Sequence, residues 1–211
     1  MRSVERLLVP VLDPIQQTVL LLLVVLWAGA TGLYWAWWLQ PLHWAGAVGM
    51  VLNTTLLLYV SGMPAWAYLF VLRMRRVNPT VTLPASTRVA MVVTKAPSEP
   101  WELVRGTLEA MLIHEPAHDT WLADEDPCDT VLRWCSDHGV RVSCRRQAAD
   151  YHNGHWPRRR RCKEGNLAYF YDHYGYALYD VVVQLDADHS PEPGYLRAMV
   201  RPFADPAVGY V

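Results

Sequence analysis

Charge is absent from a long stretch of this 211-residue chain: between Asp13 and Arg73 there is no Asp, Glu, Lys or Arg. A gap of that length excludes an ordinary water-facing surface for those residues, because soluble faces carry ionised side chains. Glycine-rich nucleotide signatures are missing as well. No dinucleotide-binding or P-loop pattern accompanies any strand-like run, which argues against a nicotinamide or ATP site. The four cysteines, Cys128, Cys135, Cys144 and Cys162, fall at gaps that match no C-x2-C metal pattern. In a cytosolic domain they stay reduced, and none is assigned a site. A positive balance is lacking too: from Arg73 onward the chain holds 17 of its 19 basic and 18 of its 20 acidic side chains. A nucleic-acid binder shows a basic face and a positive balance. Here the excess is confined to one loop, which points to a local anion or a membrane surface and away from a polynucleotide.

The uncharged run is long enough for two membrane spans. Thr18 to Leu39 meets the requirement of about 20 apolar residues, and Trp44 to Leu72 supplies a second run. Gln40, Pro41 and His43 mark a short turn between them, and Trp35, Trp37 and Trp38 with Trp44 read as an aromatic belt at one interface. A cleaved signal peptide does not fit, since the first run is too long, Asp13 and Pro14 precede it and a second span follows. Arg2 and Arg6 before the first span, and Arg73, Arg75 and Arg76 after the second, put both ends in the cytoplasm. The expected layout is a cytoplasmic or interfacial segment at 1–17, a two-helix membrane region at 18–76, a Pro- and Thr-rich linker at 77–88 and a cytosolic domain at 89–211. Pro10 and Pro14 weaken any amphipathic helix in the first of these.

Strand, short loop and helix then alternate. Strands are expected at Val89 to Thr94, Thr120 to Ala123, Val140 to Cys144 and Tyr179 to Leu185, with helices from Trp101 to Ile113 and Thr130 to His138. The first helix presents Leu103, Thr107, Leu108, Met111 and Leu112 as one apolar face. Such alternation is the pattern of a mostly parallel α/β sheet with helices on both faces.

Carboxylates gather where these strands end. The run YDVVVQLDAD closes in Asp186 and Asp188, at the edge where open α/β sheets hold ligands. A hard divalent cation with oxygen ligands would account for the pair; an acidic turn is the plain alternative. Upstream, Arg158, Arg159, Arg160, Arg161 and Lys163 form either an anion-binding loop or a solvated charge run. Asp124, Glu125 and Asp126 close the second strand at the same edge, and Asp126 before Pro127 suits a helix N-cap or a solvated turn. His189 follows D-A-D directly and could touch a metal or its water, while His152 and His155 read as an exposed loop.

K-E-G-N-L (Lys163 to Leu167), D-A-D (Asp186 to Asp188), P-E-P-G-Y-L (Pro191 to Leu196) and L-A-D-E-D (Leu122 to Asp126), in that spacing, resemble the membrane-embedded processive glycosyltransferases of family 2, which include bacterial cellulose synthases. The resemblance covers residues 86 to 211 well and the earlier part only in general layout. It implies a GT-A-like domain, incomplete here, behind two transmembrane helices in the inner membrane, with the catalytic domain cytoplasmic. It also implies an inverting transfer of a hexose from a UDP-sugar, UDP-glucose first, to a growing β-glucan-type polysaccharide. By the same resemblance Asp186 and Asp188 are the catalytic pair that holds Mg²⁺ or Mn²⁺, Asp124 meets the uracil N3 hydrogen and Glu125 stands beside it. Ser98, Glu99 and Pro100 replace an N-E-P-like triplet of the donor-binding loop, with Ser in place of Asn. Lys163 and Arg161 contact the diphosphate, and Gly165 and Asn166 shape the donor edge.

The family's general base, the Asp of a T-E-D motif, and its Q-x-x-R-W motif do not occur in the sequence. DPAVGYV at the end reads as the start of another core strand, so the expectation is an N-terminal portion of a longer synthase, inactive alone. Two alternatives remain: a non-processive membrane glycosyltransferase acting on a lipid or protein acceptor, and a non-catalytic two-span scaffold with a degenerate domain.

Overall fold

The computed structural model describes residues 7–44 and 46–211, so Arg2 and Arg6 lie outside the described residues. The chain divides into two compact units between Asn78 and Pro79. In the first, β1 (Leu8–Pro10) pairs antiparallel with β2 (Arg75–Val77), Leu8 opposite Val77. The segment before the first long helix is therefore a short edge strand at this point, a position that tolerates Pro10. Between the strands run α1 (Pro14–Trp38) and α2 (Ala47–Arg73), joined through a 3₁₀ turn at Pro41–His43.

α1 starts four residues before the apolar run because its cap is complete. The Asp13 carboxylate accepts from the Gln16 amide at 2.8 Å, the Gln16 side chain accepts from the Asp13 amide at 3.0 Å, and Pro14 opens the helix with a preset φ. The two helices have 25 and 27 residues, enough to cross a bilayer at about 1.5 Å per residue. None of their residues is buried. They touch through Trp27 against Tyr68 at 5.5 Å and through indole hydrogen bonds, Trp35 to Ser61 at 3.3 Å and Trp38 to Thr54 at 3.1 Å. Two tryptophans of the expected belt thus spend their N–H groups across the helix pair, and Trp37 and Trp44 remain outward.

The second unit is mixed α/β. It runs β3 (Val89–Lys95), α3 (Trp101–Leu112), β4 (Asp119–Asp124), α4 (Asp129–Asp137), β5 (Arg141–Cys144), α5 (Lys163–Phe170), a π-helical turn (Tyr171–Gly175), α6 (Tyr176–Leu178), β6 (Val181–Leu185) and α7 (Tyr195–Val200). The four strands lie in the order β5-β4-β3-β6, all parallel. Alternate residues of β3 feed two cores. Val89, Met91 and Val93 join Val104, Leu108 and Met111 of α3, Val131 and Cys135 of α4 and Leu196 and Val200 of α7; Ala90 and Val92 meet Trp121 and Phe170 on the other face. Each Val, Leu, Met or Phe among them contributes roughly 1.5–3 kcal/mol on burial.

Several expected details shift. The α3 stripe is Val104, Thr107, Leu108 and Met111, a strict i, i+3, i+4, i+7 set, which leaves Leu103 and Leu112 on the exposed side. Residues 77–88 are not free of the fold, since Val81 is buried and Leu83 packs on the core. Cys128, not Asp126, caps α4, and α5 opens at Lys163, which places Asn166 inside the helix. Val208 to Val211 form no strand: an Asp205 turn, closed by the Val208 and Ala207 amides, directs Tyr210 into solvent.

The strand order fixes where a ligand can sit. The chain moves outward from β3 to β4 and β5, then returns to the other side of β3 for β6, so the connections diverge at the carboxyl ends of β3 and β6, the kind of edge where open α/β sheets hold ligands.

Cys135 reports on the packing of α4. Burial, with the charge of Asp124 adding to it, pushes its thiol up to about 11. An alkylating reagent at mildly alkaline pH should modify exposed Cys128 in the native protein and reach Cys135 only with unfolding, as read by peptide mass spectrometry across a denaturant series. Prompt native labelling of Cys135 would contradict this packing.

Candidate functional site

Three charged residues stand at the carboxyl ends of neighbouring strands. Lys95 of β3 is in register with Asp124 of β4, and Asp186 follows β6 directly on the other side of β3. Asp124 and Asp186 are thus two strand spacings apart, about 10 Å. Lys95 Nζ is 3.2 Å from Asp124 Oδ2, a carboxylate only 2% exposed. That contact is an ion pair outside hydrogen-bond geometry, because Oδ2 has no hydrogen-bond partner, while Oδ1 accepts from the Asp126 amide at 3.1 Å. A cleft of about 440 Å³ lies over the pair, lined by Lys95, Asp124, Glu125, Arg146, His152 and Arg161 among others. Arg146 is itself paired with Asp126, which lifts its guanidinium further above the ordinary arginine range.

The floor of this region is held by Arg145, whose side chain is fully buried. Its Nε donates to Asn166 Oδ1 at 2.6 Å, Nη2 donates to Glu125 Oε2 at 3.0 Å and to the Cys162 carbonyl at 3.3 Å, and Nη1 donates to the Tyr151 carbonyl. Burial pulls this guanidinium below its ordinary value, and Glu125 is the first charge to pull it back. One planar fork thereby ties the end of β5, the loop from 145 to 162 and the first turn of α5 together. Gly165 and Asn166 serve this fork. A Cβ on Gly165 would strike the Arg159 carbonyl and come within 2.6 Å of the Arg145 Nη1, and the Asn166 amide donates to the Lys95 carbonyl at 2.8 Å.

Glu125 is occupied in the same way. Besides Arg145, its Oε2 accepts from the Arg161 amide at 2.7 Å, and Oε1 lies 3.4 Å from His152. Arg161 has φ 54, a left-handed conformation that costs a non-glycine residue roughly 1–2 kcal/mol. The Glu125 hydrogen bond holds it there. The Arg161 guanidinium makes no hydrogen bond or ion pair among the described residues and lines the cleft. The other arginines of the run diverge: Arg158 pairs with Asp172 at 3.2 Å and lies 4.5 Å over the Tyr151 ring, and Arg159 and Arg160 are exposed.

At the D-A-D end, buried Ala187 points into the core and its carbonyl accepts from the Thr107 hydroxyl at 2.7 Å. This anchor leaves both aspartates outward. Asp186 accepts from Lys163 Nζ at 2.6 Å, which lowers the carboxyl pKa and raises that of the amine, and its amide is 3.2 Å from His189 Nδ1. Asp188 is exposed and has no hydrogen-bond or ion-pair partner among the described residues. Nor, among those residues, is any group of three or more His, Cys, Asp or Glu side chains arranged to hold a metal. Two outward carboxylates are nevertheless the donor set that suits Mg²⁺, which takes one or two carboxylates and fills its shell with water and phosphate oxygens.

The cleft thus brings together Asp124, Glu125 and Arg161, with Lys163, Asp186 and Asp188 along the neighbouring edge. Ser98 is exposed and Glu99 accepts from the Ala96 amide at 2.6 Å; the loop reaches the cleft through Pro97. Gly165 and Asn166 face Arg145, and neither lines the cleft. Sequence reasoning missed Lys95, Arg145, Arg146 and Thr107. The first three could have been found by asking which charged residues follow each strand; Thr107 was visible only as part of an apolar stripe.

No family model matches the chain, and no curated protein does.

The Arg145 fork has a direct test in stability. Arg145→Met, which leaves Glu125 without its buried partner, should cost about 3–5 kcal/mol, and Gly165→Ala about 1–3 kcal/mol, because the Arg159 carbonyl is backbone and cannot yield. Chemical unfolding of the two variants measures both. Wild-type stability for Arg145→Met would show that the fork carries no load.

Proposed function

We propose that the cleft over Asp124 binds the nucleotide of a UDP-sugar and that the chain is the donor-binding part of a membrane-bound inverting glycosyltransferase building a β-linked polysaccharide, with UDP-glucose as donor. The observation that carries this reading is the buried, hydrogen-bond-deficient Asp124 Oδ2 at the strand end, about 10 Å across the sheet from Asp186. A carboxylate in that condition suits the N3 hydrogen of uracil, which it can accept without losing water. A charge-assisted bond of this kind contributes about 1.5–3 kcal/mol. In this reading Arg161, whose guanidinium has no partner among the described residues, and Lys163, released from Asp186, neutralise the diphosphate. Asp186 and Asp188 would hold Mg²⁺ or Mn²⁺, which supplies positive charge against the departing uridine diphosphate. The four parallel strands are then the nucleotide-binding half of a GT-A-type domain. The acceptor is a sugar hydroxyl of the polymer.

The two long apolar helices belong to this proposal as membrane spans, with Arg73, Arg75 and Arg76 on the cytoplasmic side and the second unit in the cytosol. The resemblance at K-E-G-N-L and D-A-D supports the enzyme class.

Calorimetry of the full chain in nanodiscs tests the donor site. Uridine diphosphate should bind more tightly with Mn²⁺ than without, Asp188→Ala should remove that increment, and Asp124→Asn should weaken uridine diphosphate by about tenfold or more while leaving inorganic diphosphate unaffected. Equal uridine diphosphate affinity in Asp124→Asn would exclude the cleft as a base site.

Topology is checked separately on whole cells. A membrane-impermeant maleimide applied outside should leave exposed Cys128 unmodified until the membrane is opened. Labelling of intact cells would reverse the assigned orientation.

A further inference from the structure

A second cleft of about 490 Å³ runs along α5 and the π-helical turn and shares no lining residue with the Asp124 cleft. Its walls include Trp156, Tyr171 and Tyr176, with Arg158, Glu164 and Asp172 among them. Trp156 is 74% exposed and Tyr176 78% exposed. Two large rings left in water beside a concave surface are not explained by core packing; exposed apolar surface of that kind marks binding sites.

The backbone is shaped to present them. In an α-helix, residues five apart point about 140° away from one another. Here the Tyr176 amide donates to the Tyr171 carbonyl, the i+5 bond of a π-helix, and the two rings come to lie 5.4 Å apart at 32°. Gly175 makes this possible, because a Cβ there would be 2.7 Å from Tyr171 Cδ1. Such single π turns are uncommon and recur at functional sites.

The polar groups at the rim are fixed beforehand. Asp172 accepts from the Tyr151 hydroxyl at 2.8 Å and from Arg158 at 3.2 Å, and Arg158 rests on the Tyr151 ring. The lining carries one cation, Arg158, and two carboxylates, Glu164 and Asp172, a balance that does not select a phosphate and offers both donors and acceptors at the edge. A ligand complementary to this surface is uncharged, has flat faces lined by C–H groups and carries hydroxyls around its perimeter. That describes a pyranose ring. We propose that the cleft is a saccharide-binding platform: it stacks a hexopyranose unit of a glycan on Trp156 and the Tyr171–Tyr176 pair, with hydroxyls bonded to Arg158, Glu164 and Asp172. Identification of that glycan with the polymer under extension rests on the function proposed above; the platform itself does not.

The intact chain in nanodiscs is titrated with β-1,4-linked hexamers of glucose and of N-acetylglucosamine, with saturation-transfer NMR and calorimetry as readouts. At least one hexamer should bind saturably. Trp156→Ala and Tyr176→Ala should each weaken it about tenfold or more, and Tyr176→Phe should stay within about twofold, since the ring face and not the hydroxyl does the stacking. Both positions are exposed, so unfolding curves should superimpose on the wild type. Uridine diphosphate affinity should be unchanged in all three variants, which separates failure here from failure of the donor site. Binding of neither hexamer, wild-type affinity in Trp156→Ala, or a nucleoside monophosphate that binds with the same sensitivity to these changes would each overturn the platform.

Discussion

The second unit depends on one buried cation. A guanidinium in the interior is costly to desolvate, by several kcal/mol even after relaxation, and it persists only where acceptors surround it. Arg145 has Glu125, Asn166 and the Cys162 carbonyl within 3.3 Å and a second carbonyl, that of Tyr151, on Nη1. Loss of Glu125 leaves the charge without its counter-ion and loss of any other acceptor leaves an N–H unpaired, which holds the loop between β5 and α5 to one path. That loop carries His152 and Arg161 to the cleft. The identities of Gly165, Asn166 and Glu125 follow from the same need, for space, for an amide and for a countercharge.

Around this fixed point the charges at the strand ends are matched locally, Lys95 with Asp124, Lys163 with Asp186 and Arg146 with Asp126. The exposed pairs among these contribute little to stability. Lys163 and Asp186 are each close to half exposed. Because Lys163 depresses Asp186, the small contribution of the pair is present above the unfolded carboxylate range and fades as pH falls through the lowered value. Their pairing is cheap to open. In the proposed function an incoming anion and its counter-ion would take one partner each, so a weak surface ion pair would serve as a reserve of binding groups.

Much of the layout could be read from the residues. β-branched runs ending in charge identified all four parallel strands to within two residues, and the charge-free stretch identified both long helices. What escaped was everything decided by a side chain of opposite type meeting at long range. The resemblance gives Gly165, Asn166 and Glu125 to a donor; that all three also serve Arg145 stays hidden, because Arg145 lies in a C-R-R tail that looks like another solvated turn. The arginine run reads as one patch, although Asp172 and the Tyr151 ring draw Arg158 aside and only Arg161 lines the cleft. The tyrosines at Tyr169, Tyr171, Tyr174 and Tyr176 carry no α-helical or strand period, because the period in force there is that of a π turn. Val208, an apolar residue after a turn, reads as a strand and is none, since it closes onto Asp205 with no strand partner among the described residues.

The strand order also sets a sequence of events in time. β3 receives β4 about thirty residues after its own synthesis, but its other neighbour, β6, pairs Val89 with Val181 and emerges far later. Contacts of that sequence separation form slowly, because the loop must close before pairing repays it. Until β6 arrives, Lys95 and Asp124 stand beside an open backbone edge with the apolar face of β3 half covered, while the two long helices have already left the ribosome. The β3–β6 edge is therefore the last of the three strand pairings in this sheet to form, and a ribosome paused between Phe170 and Val181 would hold a nascent protein with Lys95 and Asp124 in place and Asp186 still to come.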